Sequence, residues 1–285
     1  MLLRIISFPI LIAGIIYGIA IIYSAYRNKA QVCAEQGSFA ALGPLEVIIY
    51  FFAASGISDF LLNTLMIKKL KLMEDDKLPG TLVACCLVPS AIFSFSLLHK
   101  GAAIDPVSLL SCAAAIAIGS YIGSLMAGKF DGKSIKKIMV FALAASFAIL
   151  VVKIIITRGA AGELTSLTGI KLIIAVVICF ITGLINMFGI PMKPTWTALF
   201  LILGLSPIST LTMVLSVGYF GPLTGGINVI RSGNYHKKTA LAASTFGALG
   251  AVIGVLLAVS ISQGVLNIVL LLVMALAIFT MLRSK

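Results

Sequence analysis

Apolar residues run along this chain in eleven stretches, at roughly 2–26, 45–56, 59–70, 80–98, 105–128, 135–157, 171–188, 194–204, 207–230, 238–261 and 264–282. Many approach or exceed the ~20 residues that a membrane-spanning helix needs. After the first, they form two sets of five in matching order: a longer piece, a break, a short piece, then three helices. The breaks fall at Gly56-Ile57 and Gly189-Ile190, and 33 residues separate each from a landmark proline, Pro89 or Pro222. Further on, the pair Gly119 and Gly123 is echoed by Gly250 and Gly254. The short pieces cannot cross ~30 Å of hydrocarbon at 1.5 Å per residue. Each broken element is therefore expected to be a V-shaped, re-entrant hairpin. The pattern predicts an all-α polytopic membrane protein: an extra N-terminal helix (1–30), a first repeat (44–157) and a second repeat (170–283).

Composition narrows the class. Sixty per cent of residues are hydrophobic, 11% are charged and mean hydropathy is +1.16, against about 25% charged in soluble domains. The long apolar runs exclude a β-barrel with its short alternating segments. A net charge of +12 would point to nucleic acid in a soluble protein; here the basic residues sit in short loops, and no nucleic-acid partner is expected. The first apolar run is too long for a cleaved signal peptide and reads as a retained helix. The five cysteines show no metal-ligand spacing and read as small hydrophobes. No cofactor or metal is implied.

The charges also orient the chain. If each broken element returns to its starting side, the two halves are inverted. One side then collects thirteen basic residues, from the loops around 68–77, 129–137 and 231–238 and the C-terminus; the other collects Lys100, Lys153, Arg158 and Lys171. A single crossing by each broken element would split them nearly evenly. The positive-inside rule selects inverted halves, with Arg27, Lys29 and the C-terminus on the cytoplasmic side of the plasma membrane.

Two similar halves with interrupted helices are the sequence pattern of a secondary transporter whose site lies near the midplane. Backbone leaves helical geometry at that depth only against protein or a water-filled cavity. The first break carries Gly56, Ile57, Ser58 and Asp59 and leads to Asn63; the second carries Asn186, Gly189, Ile190, Met192, Lys193, Pro194 and Thr195. Ser58 suits the N-cap of the short helix that follows, Asp59 its first turn, and Pro194 a first helical position. Two helix N-termini with Lys193 between them make an anion site, and a buried charge without a role is improbable. These residues are the candidate substrate-binding set. Asp59 is either the group that couples anion movement to H⁺ or Na⁺, or the counter-ion that neutralises Lys193; the second is the commoner way to tolerate burial. Trp196 is expected to seat its hairpin, Asn228 and the small residues around Gly218–Gly226 to pack, and His99 and His236 to lie in solvated loops.

The Gly-Ile turns, the loop Leu98–Asp105 with its partner Arg231–Asn234, and the Gly119/Gly123 and Gly250/Gly254 spans resemble the sulfite exporter TauE/SafE family over about residues 46–283. That resemblance implies a permease for sulfite, sulfonates or other small organic anions, moved with a proton or cation gradient. Members of that family carry further glycines after the Gly-Ile turn, where this chain has Ser58-Asp59 and Pro191-Met192-Lys193-Pro194. Rival readings are an anion channel, a non-transporting scaffold, and an intramembrane serine protease using Gly56-Ile57-Ser58-Asp59. The protease would need a histidine beside the serine. The oligomeric state is left open.

Overall fold

The computed structural model describes residues 2–100, 104–127 and 162–257, with isolated helical positions between 137 and 151 and between 272 and 279. Apart from those isolated positions, the apolar stretches expected at 135–157 and 264–282 lie outside the described residues, as do Lys129, Lys133, Lys136, Lys153, Arg158, Arg283 and Lys285. Among the described residues the chain is helical, with one isolated bridge between Leu164 and Leu205. The helices are α1 (Leu2–Arg27), α2 (Lys29–Ala34), α3 (Phe39–Ala53), α4 (Asp59–Leu70), α5 (Leu78–His99) and α6 (Pro106–Ala127). After a gap come α7 (Gly169–Asn186), α8 (Lys193–Ile202), α9 (Pro207–Ser232) and α10 (Lys237–Leu257). Six of these, α1, α5, α6, α7, α9 and α10, are long and apolar enough to cross a membrane.

Their outer faces are as apolar as their inner ones. Ile5, Ile12, Ile15, Ile16 and Ile19 of α1 and Ile170, Ile173 and Val177 of α7 are each more than half exposed. Water would not tolerate such continuous apolar faces; hydrocarbon does. Polar side chains point inward instead, with Glu46, Ser58, Asp59, Asn63 and Lys193 all buried. The chain is a membrane protein.

Two places bring distant loops together. Gly37, just before α3, lies against Leu72, just after α4. Likewise Leu164, ahead of α7, exchanges backbone hydrogen bonds with Gly204 and Ser206, just after α8, at 3.0 and 2.9 Å. The first place also gathers the start of α5 and the loop before α10, where Gly80 abuts Asn234 and the His236 N–H donates to Thr81. The second gathers the start of α6, where the Asp105 N–H donates to Thr165, and the start of α1, where Phe8 packs on Phe95 and His99.

Small residues set the closest helix contacts. Gly119 and Gly123 of α6 lie directly on the backbone of Phe180 and Leu184 in α7; Gly250 and Gly254 of α10 lie on that of Val47 and Phe51 in α3. Phe180 and Leu184 precede Gly189 by nine and five residues, and Val47 and Phe51 precede Gly56 by the same nine and five. Helix α6 thus holds the arm before the second break, and α10 holds the arm before the first.

Helix α3 begins at Phe39, ahead of the expected position, because the Ser38 hydroxyl caps it by accepting the Ala40 N–H at 3.2 Å. The short α2 and a π turn over Ala243–Gly247 were not foreseen from periodicity. His236 is not in a solvated loop: it is buried and caps α10, its Nδ1 accepting the Thr239 N–H at 3.2 Å. Beside it, the Glu35 carboxylate accepts the backbone N–H groups of Lys237 (3.0 Å) and Lys238 (2.7 Å), and the Lys238 ammonium donates to the carbonyls of Glu35 and Gly37. This tie fastens the segment after α1 to the bundle. Removing it by Glu35→Ala orphans two N–H groups and is expected to cost about 1–3 kcal/mol, read as a lower unfolding midpoint in detergent.

Burial of the His236 imidazole pushes its pKa below the usual value; Glu35 partly opposes this, while Lys238 and Lys77 add to it. The folded chain therefore favours the neutral ring. Its contribution is fully present above the ordinary histidine pKa of about 6.5 and is lost as pH falls below it, because the unfolded chain then takes up the proton more readily. Asparagine at 236 keeps a capping oxygen and is expected to flatten that acid limb of the stability curve.

Candidate functional site

Both breaks are built alike. After α3, the Gly56 N–H closes a tight turn onto the Ala53 carbonyl at 3.0 Å, and after α7 the Gly189 N–H does the same onto Asn186 at 3.0 Å. Both glycines then take left-handed backbone, with φ of 93° and 82°, a conformation that costs a residue with a Cβ about 1–2 kcal/mol. The chain passes through Ile57 and Ile190, which are buried, and re-enters helix at Asp59 and at Lys193. Pro194 occupies the second helical position, not the first.

The two new helix starts meet. Lys193 Nζ lies 2.7 Å from Asp59 Oδ1, with side chains only 10% and 2% exposed, and the same ammonium sits 5.5 Å from the centre of the Phe93 ring. Around this pair lies a cavity of about 20 Å³, walled by Ser58, Asp59, Asn186, Met192, Lys193 and Trp196, with Cys86, Ser90 and Pro222 from α5 and α9. That volume holds about one water. The Ser58 hydroxyl is buried there without a hydrogen-bond partner; Ser58 is the N-cap residue, but its side chain does not cap.

The sequence-derived set divides accordingly. Ser58, Asp59, Asn186, Met192 and Lys193 line the cavity. Gly56, Ile57, Gly189 and Ile190 shape the turns behind it. Thr195 is half-buried and not in the cavity wall. Asn63 is one turn further along α4 and lies beside Glu46 of α3. Asn228 is remote, its amide donating to the Ser124 hydroxyl at 2.8 Å. Trp196 fastens α8 to α7, its Nε1–H donating to Thr182 Oγ1 at 2.7 Å, with its ring against Gly218.

Sequence reasoning missed Glu46. It is fully buried, and both its oxygens lack hydrogen-bond partners. The available signal was one acidic residue inside the apolar run from Leu42 to Phe52.

Chemically, the arrangement offers a positive locus, made by two helix N-termini and an ammonium, closed by an internal carboxylate. Any anion at Lys193 would compete with Asp59 for the ammonium, and the chamber would have to widen to admit it. No family model, curated protein or solved structure matches the chain.

Proposed function

We propose that this protein is a secondary transporter of small sulfur-containing or organic anions such as sulfite or sulfonates, working by alternating access around the Asp59–Lys193 chamber. The observation that carries this reading is the meeting of two helix N-termini and Lys193 in one buried cavity at the two breaks, an arrangement made for negative charge. Asp59 holds the place of the anion in the unloaded state and turns to a proton or Na⁺ when the anion takes Lys193. The chamber's size, about one water in this conformation, supports a site that opens to one side at a time over a continuous anion pore.

The architecture of the proposal is two inverted repeats, each a re-entrant hairpin plus three membrane helices, preceded by α1. It is supported by the contacts that join the two ends of each hairpin and by the reciprocal glycine contacts of α6 with α7 and α10 with α3. Arg27, Lys29, Lys68, Lys69, Lys71, Lys77, Arg231, Lys237 and Lys238 gather at one end, and Arg4, Lys100 and Lys171 at the other. The positive-inside rule makes the first end, with the C-terminus, cytoplasmic in a plasma-membrane protein. The likeness to the TauE/SafE family belongs to the same proposal.

The test is a thermal-stability screen of purified protein against sulfite, sulfate, thiosulfate, sulfonates and short carboxylates. A ligand at one hundred times its Kd stabilises by about 2.7 kcal/mol. At least one of these anions is expected to raise the midpoint of the wild type and to leave Lys193→Gln unchanged. Equal stabilisation of both proteins, or of neither, would remove Lys193 from any anion site.

A further inference from the structure

Among the described residues, Glu46 is the one buried carboxyl that the site described above does not use. It sits on α3 one turn before Tyr50, is fully enclosed, and is faced by Asp59 and Asn63 from α4 and Cys85 from α5. Helix α10, packed on the other side of α3, presents Phe246, Gly250 and Gly254 there. Its Lys237 and Lys238 are engaged at Gly233, Glu35 and Gly37. The chamber's ammonium, Lys193, is taken by Asp59.

Both Glu46 Oε atoms, Asn63 Oδ1 and the Tyr50 hydroxyl are buried near one another without a hydrogen bond of good geometry, although the Asn63 side chain lies close against the Glu46 carboxyl. An ionised carboxylate and an amide oxygen offer only lone pairs, and neither the Asn63 amide nor the Tyr50 hydroxyl reaches Glu46 with hydrogen-bond geometry, so a hydrogen is missing between the carboxyl and Asn63 Oδ1. One proton on Glu46 supplies the missing donor. Charge balance asks for the same proton, since two carboxylates face a single ammonium, and an unpaired buried carboxylate costs far more than the neutral acid.

We propose that Glu46 is a proton-binding site of the chamber, carrying its proton in the conformation seen here, and that this proton is bound together with the transported anion. The first part stands on the burial and the orphaned oxygens alone; the second rests on the anion reading above. Loss of the proton places a second negative charge beside Asp59 and disfavours an anion at Lys193. Anion affinity then falls as pH rises through the titration of Glu46, by up to tenfold in Kd per pH unit for one linked proton, and anion binding takes up a proton by reciprocity.

The test begins with infrared spectra at pH 7, without anion, on protein carrying ¹³C-labelled glutamate. A protonated-carboxyl band that shifts with the label, vanishes in Glu46→Gln and moves in Asn63→Ala is the expected result. Of the other three glutamates, Glu74 and Glu163 are exposed and Glu35 is hydrogen bonded, so the labelled wild type is decisive even should the Gln variant fold poorly. A missing label-sensitive band, a band unaltered in Glu46→Gln, or a band abolished by Na⁺ at constant pH overturns the proposal. For the linkage, ethanesulfonate, which does not titrate near neutrality, is followed by thermal shift from pH 6 to 9. Its Kd is expected to climb with pH in the wild type and to stay flat in Glu46→Gln. Equal slopes in both proteins, or no binding, remove the linkage. A band without anion binding sinks the transport reading alone; anion binding through Lys193 without the band sinks the proton site alone.

Discussion

Lys193→Met is expected to lower stability by about 3–5 kcal/mol and to abolish anion binding, while adding Asp59→Asn to it restores most of the stability and none of the binding. The reasoning starts from the 2.7 Å pair and its near-total burial. Removing the ammonium alone leaves the Asp59 carboxylate beside Cys86, Phe60 and Met192 with no counter-ion, and breaking a buried pair from one side costs about that much. Replacing both charges by uncharged groups of similar volume removes the mutual attraction and the desolvation penalty together, which is often close to neutral. Stability thus follows charge balance, whereas anion affinity follows the ammonium. Denaturation midpoints of the two single variants and the double variant, with and without sulfonate, separate the two. Additive losses in the double variant would mean that Asp59 and Lys193 do not act as a pair in the folded protein.

The second large effect is at the helix crossings. A Cβ built on Gly119 meets the carbonyl oxygen of Phe180, and one on Gly250 meets that of Val47. A flexible side chain could move aside; a backbone carbonyl inside a helix cannot, so the helices must separate. Gly119→Ala and Gly250→Ala are each expected to cost about 1–3 kcal/mol, the usual toll of overpacking a close contact, and valine more. Because the two crossings hold equivalent arms of the two breaks, the losses are expected to match. Gly18 is the control: its Cβ would lie 3.4 Å from Val88 Cγ2, an ordinary contact, and alanine there gains up to about 1 kcal/mol of helix propensity. Melting curves of the three variants check this. A harmless Gly119→Ala beside a damaging Gly250→Ala would contradict the matched roles of the two crossings.

What sequence made legible follows from which forces are local. Helix positions emerge from apolar run length, so α5, α6, α7 and α9 fall within a few residues of expectation. The breaks emerge from Gly-Ile turns, since only glycine takes φ near +90° without strain. Lys193 and Asp59 were visible as charges in apolar surroundings, and the structure joins them. Glu46 stood out no less, as an acid between Leu45 and Val47, but it lies outside the repeated motif. The burial of His236 could not be read either: its N–H donates to Thr81 and the Glu35 carboxylate lies beside it, both more than 150 residues away in sequence, and linear spacing carries no trace of those contacts. Asn63 was grouped with the cavity by proximity to Asp59, yet one helical turn rotates it toward α3.

The most direct measurement of the central claim is sided thiol labelling. In a background with Cys33 replaced, single cysteines are placed at Lys69, on the last turn of α4, and at Glu163, beside the bridge to the end of α8. Intact cells are then treated with a membrane-impermeant maleimide. Labelling of Glu163→Cys from outside, with Lys69→Cys labelled only after permeabilisation, is the result expected for two hairpins entering from opposite faces. Labelling of both from the same face would contradict it.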